Sequence, residues 1–173
     1  MKKCFYLIVV LAAFLPVTVS AQDDVPKRPE NMGVSDFDSF KNNSFDILDE
    51  SASLKKDATR IDGEVKNYAA TMSSVTLDKL KTDYKALKGI AESSKALTTK
   101  IGDLDNQGKD LLANAKNVTP KIKSPQATKN TNSSIKGLDA SKKNLDAVST
   151  LVQNNTKLLA EELKKRGEVV EED

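Results

Sequence analysis

Leu54-Lys55-Lys56-Asp57-Ala58-Thr59-Arg60-Ile61-Asp62-Gly63-Glu64-Val65-Lys66-Asn67-Tyr68-Ala69-Ala70-Thr71-Met72-Ser73-Ser74-Val75 is the stretch on which the fold turns. Leu54, Ala58, Ile61, Val65, Tyr68, Met72 and Val75 follow one another at alternating spacings of four and three. That spacing puts all seven on one face of an α-helix, as an unbroken heptad seam. Read backward, the seam continues through Ile47, Phe40 and Phe37, with Ser44 and Ser51 as its small polar positions. Ser35 is placed to cap the helix, and Asp36 and Asp38 put negative charge in its first turn. The pattern predicts a first helix over about residues 36–73, about 57 Å long at the α-helical rise.

A short Ser73-Ser74-Val75-Thr76 connection follows. Thr76 is a good N-cap, and Val75 with Leu80 fits a hydrophobic staple around it. So short a link returns the second helix antiparallel to the first. Leu77, Leu80, Tyr84 and Leu87 start its seam. After a three-residue step to Ile90 the seam resumes at Ser94, Leu97, Ile101, Leu104, Gly108, Leu111, Ala115 and Val118. The extra step is a stammer, which overwinds a coiled coil locally. Gly102 and Gly108 each weaken the helix by about 1 kcal/mol relative to alanine. The expected helix covers about 77–118, and a break between Gly102 and Gly108 would turn three helices into four.

Pro120 and Ser124-Pro125 mark the next loop, with Ser124 as N-cap and Pro125 at the first helical position. The third helix, about 125–166, carries Ile135, Leu138, Leu145, Val148, Leu151, Val152, Leu158, Leu159 and Leu163. Lys164, Lys165 and Arg166 suit its C-terminal dipole, Gly167 its C-cap, and 167–173 form an acidic tail. The predicted fold is all-α: an elongated antiparallel three-helix bundle with coiled-coil-like packing, roughly 60 Å long. Its outline resembles that of spectrin-like three-helix repeats, in shape alone. An up-down-up course gathers the start of helix 1, the end of helix 2 and the start of helix 3 at one end. No large apolar residue occurs from Ala127 through Ser134, so Phe37 and Phe40 are expected to fill that layer.

Before the bundle, Met1-Lys2-Lys3 precedes an apolar run from Cys4 to Leu15, then Pro16 and Val19-Ser20-Ala21. This has the form of a secretory leader of bacterial style, residues 1–21, with cleavage expected between Ala21 and Gln22. The run is too short for a membrane span of about 20 residues. Removing 21 of the 173 residues leaves 152. The expected location is the periplasm or the exterior. Residues 22–34, with Pro26, Pro29 and Gly33 among charges, read as a flexible tether.

Of 27 basic residues, Lys2 and Lys3 lie in the leader, so 25 remain against 25 acids. A balanced chain lacks the basic field that nonspecific nucleic-acid binding needs. Apart from Cys4 in the leader the chain has no cysteine, and it has no histidine. That removes disulfides, thiolate and histidine-dependent nucleophilic chemistry, and the usual zinc, haem and iron–sulfur ligands. Phe37, Phe40, Phe45, Tyr68 and Tyr84 are the only aromatics after the leader, too few to line a deep apolar pocket. No catalytic, cofactor-binding or metal-binding residue is assigned, and no cofactor.

Five features bear on a possible site. Between Leu111 and Leu138 stand Lys116, Lys121, Lys123, Lys129 and Lys136, with no acid among them. Such a segment could hold an anionic glycan, a lipid headgroup or a partner. The plainer expectation is internal pairing with Asp36, Asp38, Asp46, Asp49 and Glu50 on helix 1, plus solvation. Asp103-Leu104-Asp105-Asn106-Gln107-Gly108 resembles the first half of a calcium loop, but Asn114 stands where a bidentate glutamate is needed. Ser53-x-x-Lys56 and Ser133-x-x-Lys136 match the start of a serine–lysine hydrolase motif, with no Ser-Asp-Asn or Lys-Thr-Gly to follow. Ser94, Thr98, Ser141 and Asn155 lie on or beside the seams, where polar residues set register or mark a marginal core. Asn42, Asn117, Asn132 and Asn154 begin glycosylation sequons without consequence behind a bacterial leader.

The expected function is that of a non-enzymatic interaction or structural module of the bacterial cell envelope. Its partner would be an envelope protein or a second copy of itself. The alternative is an amphipathic carrier, holdase or membrane-active bundle that opens onto lipid or unfolded chains.

Overall fold

The computed structural model describes residues 25–170, in which three long helices pack side by side. The predicted leader and its cleavage point lie outside the described residues. Helix α1 runs Ser35–Tyr68, α2 Leu77–Asn114 and α3 Ser124–Lys165, and there is no strand among the described residues. The all-α antiparallel three-helix bundle read from the heptads is the fold observed.

Apolar side chains bury in three layers along the axis. At the α1–α2 turn, Ile61, Val65, Leu80, Leu87, Val148, Leu159 and neighbours form one cluster. The middle layer joins Phe40 and Ile47 of α1 with Leu97, Ile101 and Leu104 of α2 and Leu138 and Leu145 of α3. The far layer joins Met32, Phe37, Ala115, Val118 and Ala127. Leu54 bridges the first pair of layers and Leu111 the second. Each fully buried leucine or isoleucine contributes roughly 1.5–3 kcal/mol by leaving water. Phe37 does occupy the end where α3 is poor in large side chains, while Phe40 packs in the middle layer. At that end of α3 Asn130, Thr131 and Ser134 are buried instead.

Several boundaries differ from expectation. Helix α1 stops as an α-helix at Tyr68 and tightens into a 3₁₀ stretch, Ala69–Ser74, with Thr71 at φ −122°, ψ 31°. Arg166, reaching across from α3, donates to the carbonyls of Met72 and Val75, so the carbonyls freed by the early stop find a partner. Ser35 is not the cap but the first helical residue. Asp38 reaches back instead, accepting from the amides of Met32 and Gly33 at 2.8 Å each and of Val34 at 3.2 Å. Gly33, at φ +70°, makes the turn that aims those amides at one carboxylate.

Helix α2 is continuous through Gly102 and Gly108, so the four-helix alternative is excluded. It ends at Asn114 rather than 118, and Ala115–Asn117 continue as a 3₁₀ turn. Thr76 caps it as predicted, accepting from the Lys79 amide at 3.3 Å. Ser124 does not cap α3. A 3₁₀ turn at Lys121–Lys123 feeds directly into the helix, so Ser124 is already helical and Pro125 sits one place further in. At the other end Gly167, at φ +81°, closes α3. Its amide bonds to the Lys164 carbonyl at 3.0 Å, and that of Glu168 to Leu163 at 3.0 Å, a Schellman closure.

The tether is corrected over its described part, residues 25–34. Met32 is buried in the far layer. The amide nitrogen of Asn130 donates to the Glu30 carbonyl at 3.0 Å, and Ser133 Oγ to the Lys27 carbonyl at 3.4 Å. Arg28 grips Asp46 at 2.7 Å and Asp49 at 2.9 Å, with its guanidinium 5.7 Å from the Phe45 ring centre. Pro26, Pro29 and Gly33 thus shape an arm laid along the bundle. The predicted tail likewise begins folded back: Glu168 pairs with Lys81 at 2.8 Å, and Val170 packs on the core.

Candidate functional site

Of the five lysines between Leu111 and Leu138, four stand at the end where α2 finishes and α3 begins, and Lys136 lies about 18 Å into α3, next to Ile135 of the middle layer. Lys116 follows α2, Lys121 and Lys123 belong to the 3₁₀ turn before α3, and Lys129 and Lys136 lie two turns apart on α3. The expected pairing with the acids of α1 does not occur. Asp46 and Asp49 are taken by Arg28, and Asp38 by three backbone amides. Lys121 reaches the Lys116 carbonyl at 2.8 Å and Lys123 the Gly33 carbonyl at 3.5 Å. Carbonyls hold these ammonium groups without neutralising them. None of the five has a carboxylate partner among the described residues.

The arm adds to this surface. Lys27, Lys129 and Lys136 line one open cleft of about 570 Å³ between the arm and α3, with Asn132, Ser133 and Val25 beside them. Lys41, on the buried side of α1, is 2% exposed and donates to Asn31. It puts another positive charge at the same end. Carboxylates border this surface as well: Glu30 lines the neighbouring cleft with Lys27 and Lys129, Asp36 stands at the start of α1, and Asp139 lies three residues beyond Lys136. Apolar groups are exposed here too: Ile122 is 86% exposed between Lys121 and Lys123, and Val25 is 67% exposed.

Sequence reasoning found the five lysines but missed Lys27, Lys41 and Ile122. Lys27 looked like tether, and Lys41 falls one place beyond the Phe40 seam position. The signal for Ile122 was available: it is an isoleucine that fits no seam.

The opposite end is electrically closed. The Tyr68 hydroxyl donates to Asp83 at 2.7 Å, and Lys79 bridges Asp83, at 2.7 Å, to Glu64. Burial, then the bond to Asp83, pushes the Tyr68 phenol far above its ordinary pKa. The Lys79 and Arg60 bonds hold the Glu64 carboxyl below its usual range. Lys79 is itself raised, because Asp83 and Glu64 together outweigh the opposing effect of burial. These groups satisfy one another and tie the start of α2 to the end of α1.

The remaining candidates are placed as follows. Asp103–Gly108 lies within continuous α2, so the sharp turn of a calcium loop is not formed, and Asp105 pairs with Lys142 at 2.6 Å. Among the described residues no group of three or more acidic, cysteine or histidine side chains is arranged to hold a metal ion. Ser53 and Lys56 are both exposed on α1. Ser133 donates to the arm while Lys136 points to solvent, so neither pair has the buried lysine that the hydrolase chemistry needs.

Of the seam polars, Asn155 joins two helices by donating to Asp62 of α1 at 3.0 Å, and bonds its own Leu151 carbonyl at 2.8 Å; Ser51 of α1 likewise accepts from Asn144 of α3 at 3.3 Å. Ser141 bonds back to the Gly137 carbonyl at 2.8 Å, and Thr98, exposed, to Ser94 at 2.9 Å. The Ser94 hydroxyl has no hydrogen-bond partner among the described residues. Compared with known protein families, curated proteins and solved structures, the chain matches none.

Proposed function

We propose that this protein is a non-enzymatic, exported interaction module of the cell envelope, and that the lysine end of the bundle is its contact surface. One observation carries the reading: three of the five acids on α1 that could pair with the lysines are committed instead to Arg28 and to backbone amides. Uncompensated charge within one Debye length of a partner, about 8 Å in physiological salt, favours a partner of opposite sign. The leader-like residues 1–21 support export. The want of histidine, and of cysteine outside that segment, supports a binding role over a catalytic one. The long, mutually braced helices suit a rigid spacer that presents one end.

Cell fractionation tests this. Reversing charge with Lys116→Glu, Lys129→Glu and Lys136→Glu together is expected to move the protein from the envelope-associated to the soluble pool. Reversing Lys56, Lys85 and Lys157, elsewhere on the bundle, leaves it in place. Equal release by both sets would show that general charge, not this end, holds the protein. The mass of the protein the cell accumulates tests export: a chain beginning at Gln22 agrees, and retention of residues 1–21 does not.

A further inference from the structure

Resting on that reading, we propose that the partner of the lysine end is an anionic lipid bilayer surface, with Ile122 entering the headgroup layer between Lys121 and Lys123. The cleft between the arm and α3 offers three ammonium groups, an amide and a hydroxyl. A dispersed set of lysines binds phosphate-bearing headgroups through their field, without needing fixed geometry. Ile122 then decides between lipid and a soluble polyanion. A large aliphatic side chain 86% exposed at a bundle tip contributes nothing to a polysaccharide or a free phosphate. Flanked by two lysines, it suits the boundary where headgroups meet acyl chains. Lys121 donates to the Lys116 carbonyl and Lys123 to Gly33. These bonds fix both flanking side chains and leave Ile122 as the protruding group.

The arrangement is a surface contact and not an insertion. Among the described residues no helix is long and apolar enough to cross a membrane. Binding is therefore expected to be reversible and salt-sensitive. Each exposed lysine near an anionic surface strengthens partitioning about fivefold at moderate ionic strength, and burial of Ile122 about tenfold.

The test is sedimentation of the protein, in the form the cell accumulates, with two kinds of vesicle. One is phosphatidylcholine alone, the other phosphatidylcholine with about a third phosphatidylglycerol. Binding is expected to the anionic vesicles only, and to fall steeply between low and high salt. It should weaken about tenfold in Ile122→Ser and about twenty-five-fold in Lys121→Gln with Lys129→Gln. Ile122 and both lysines are exposed, so these variants fold, and their circular dichroism should match the parent. Equal binding to neutral vesicles, or binding indifferent to all three substitutions, overturns the proposal. So does failure to bind anionic vesicles, and lysine acetylation in native envelope then separates the two readings. Protection of Lys116, Lys129 and Lys136 there would point to an acidic protein or glycan and keep the contact surface. No protection would overturn the contact surface as well.

Discussion

Gly108 of α2 faces the ring of Phe40 from α1 so closely that a methyl group on it would lie 2.8 Å from Phe40 Cζ and 3.3 Å from Ile135 Cγ1. The glycine is what lets the two helices approach at the layer where α3 is thin. Gly108→Ala gains about 1 kcal/mol of helix propensity. The clash with a fully buried ring costs about 1–3 kcal/mol, and a net loss of stability is expected. At Gly102 an added methyl meets nothing within 4 Å, and Gly102→Ala is expected to stabilise by about 0.5–1 kcal/mol. Urea denaturation of the two variants checks both signs at once.

Arg166 braces the first turn from the far end of the chain. It donates to the carbonyls of Met72 and Val75 and pairs with Glu162 at 2.9 Å. Lysine keeps the charge but not the fork that reaches several acceptors. Arg166→Lys is therefore expected to cost about 1.5–3 kcal/mol. Amide exchange should accelerate first over residues 69–76. Acceleration spread evenly over the bundle would mean that the brace is not local.

How much of this was legible beforehand follows from what each feature depends on. The heptads of α1 and α2 depend on spacing alone, and spacing is visible in one dimension. So is Thr76, whose cap needs only its own helix. Ser35 and Ser124 were misread because a cap is settled by the chain on its outer side. Asp38, bound to three arm amides, leaves Ser35 no role, and the 3₁₀ turn at Lys121–Lys123 carries the helix back past Ser124. Gly108 read as a weakness, since its use is a contact with a residue far away in sequence. The arm read as a tether for the same reason: its contacts are with Asp46, Asp49, Asn130 and Ser133. The charge segment was visible as a run. That Asp46 and Asp49 do not pair with it was not, because it follows from where Arg28 goes.

Alkaline pH should destabilise the protein partly through Tyr68. Burial and Asp83 raise its pKa when folded, while the unfolded phenol titrates near its ordinary value of about 10. A raised folded pKa contributes stability that is complete below about pH 10 and is lost as pH rises beyond it. Tyr68→Phe is expected to lower stability at neutral pH by about 1–2 kcal/mol. It should also flatten the decline of melting temperature above pH 10. Some decline remains, since Lys79 is raised too and loses its contribution in the same direction. An unchanged alkaline slope in the variant would contradict this assignment.

Acid acts through Asp62 and Glu64. The bonds from Asn155 and then Lys66 lower the Asp62 pKa, and those from Lys79 and Arg60 lower that of Glu64. A depressed folded pKa contributes stability that is complete above the unfolded value of about 4 and is lost as pH falls through the folded one. Melting temperature is therefore expected to fall below about pH 4. Asp62→Asn should start from a lower melting temperature at pH 7 and fall less steeply in acid. Loss of the negative charge that strengthens the Asn155 bond and pairs with Lys66 at 2.7 Å is the cause of the first effect, loss of a titrating group of the second.

The measurement closest to the central claim is lysine footprinting in the native envelope. Brief acetylation, read by mass spectrometry with and without envelope membranes, reports each ammonium group separately. The account predicts protection of Lys27, Lys116, Lys121, Lys129 and Lys136, with Lys56, Lys85 and Lys157 labelled equally in both states. Protection confined to the middle of the bundle or to its Tyr68 end, or none at any lysine, would contradict it.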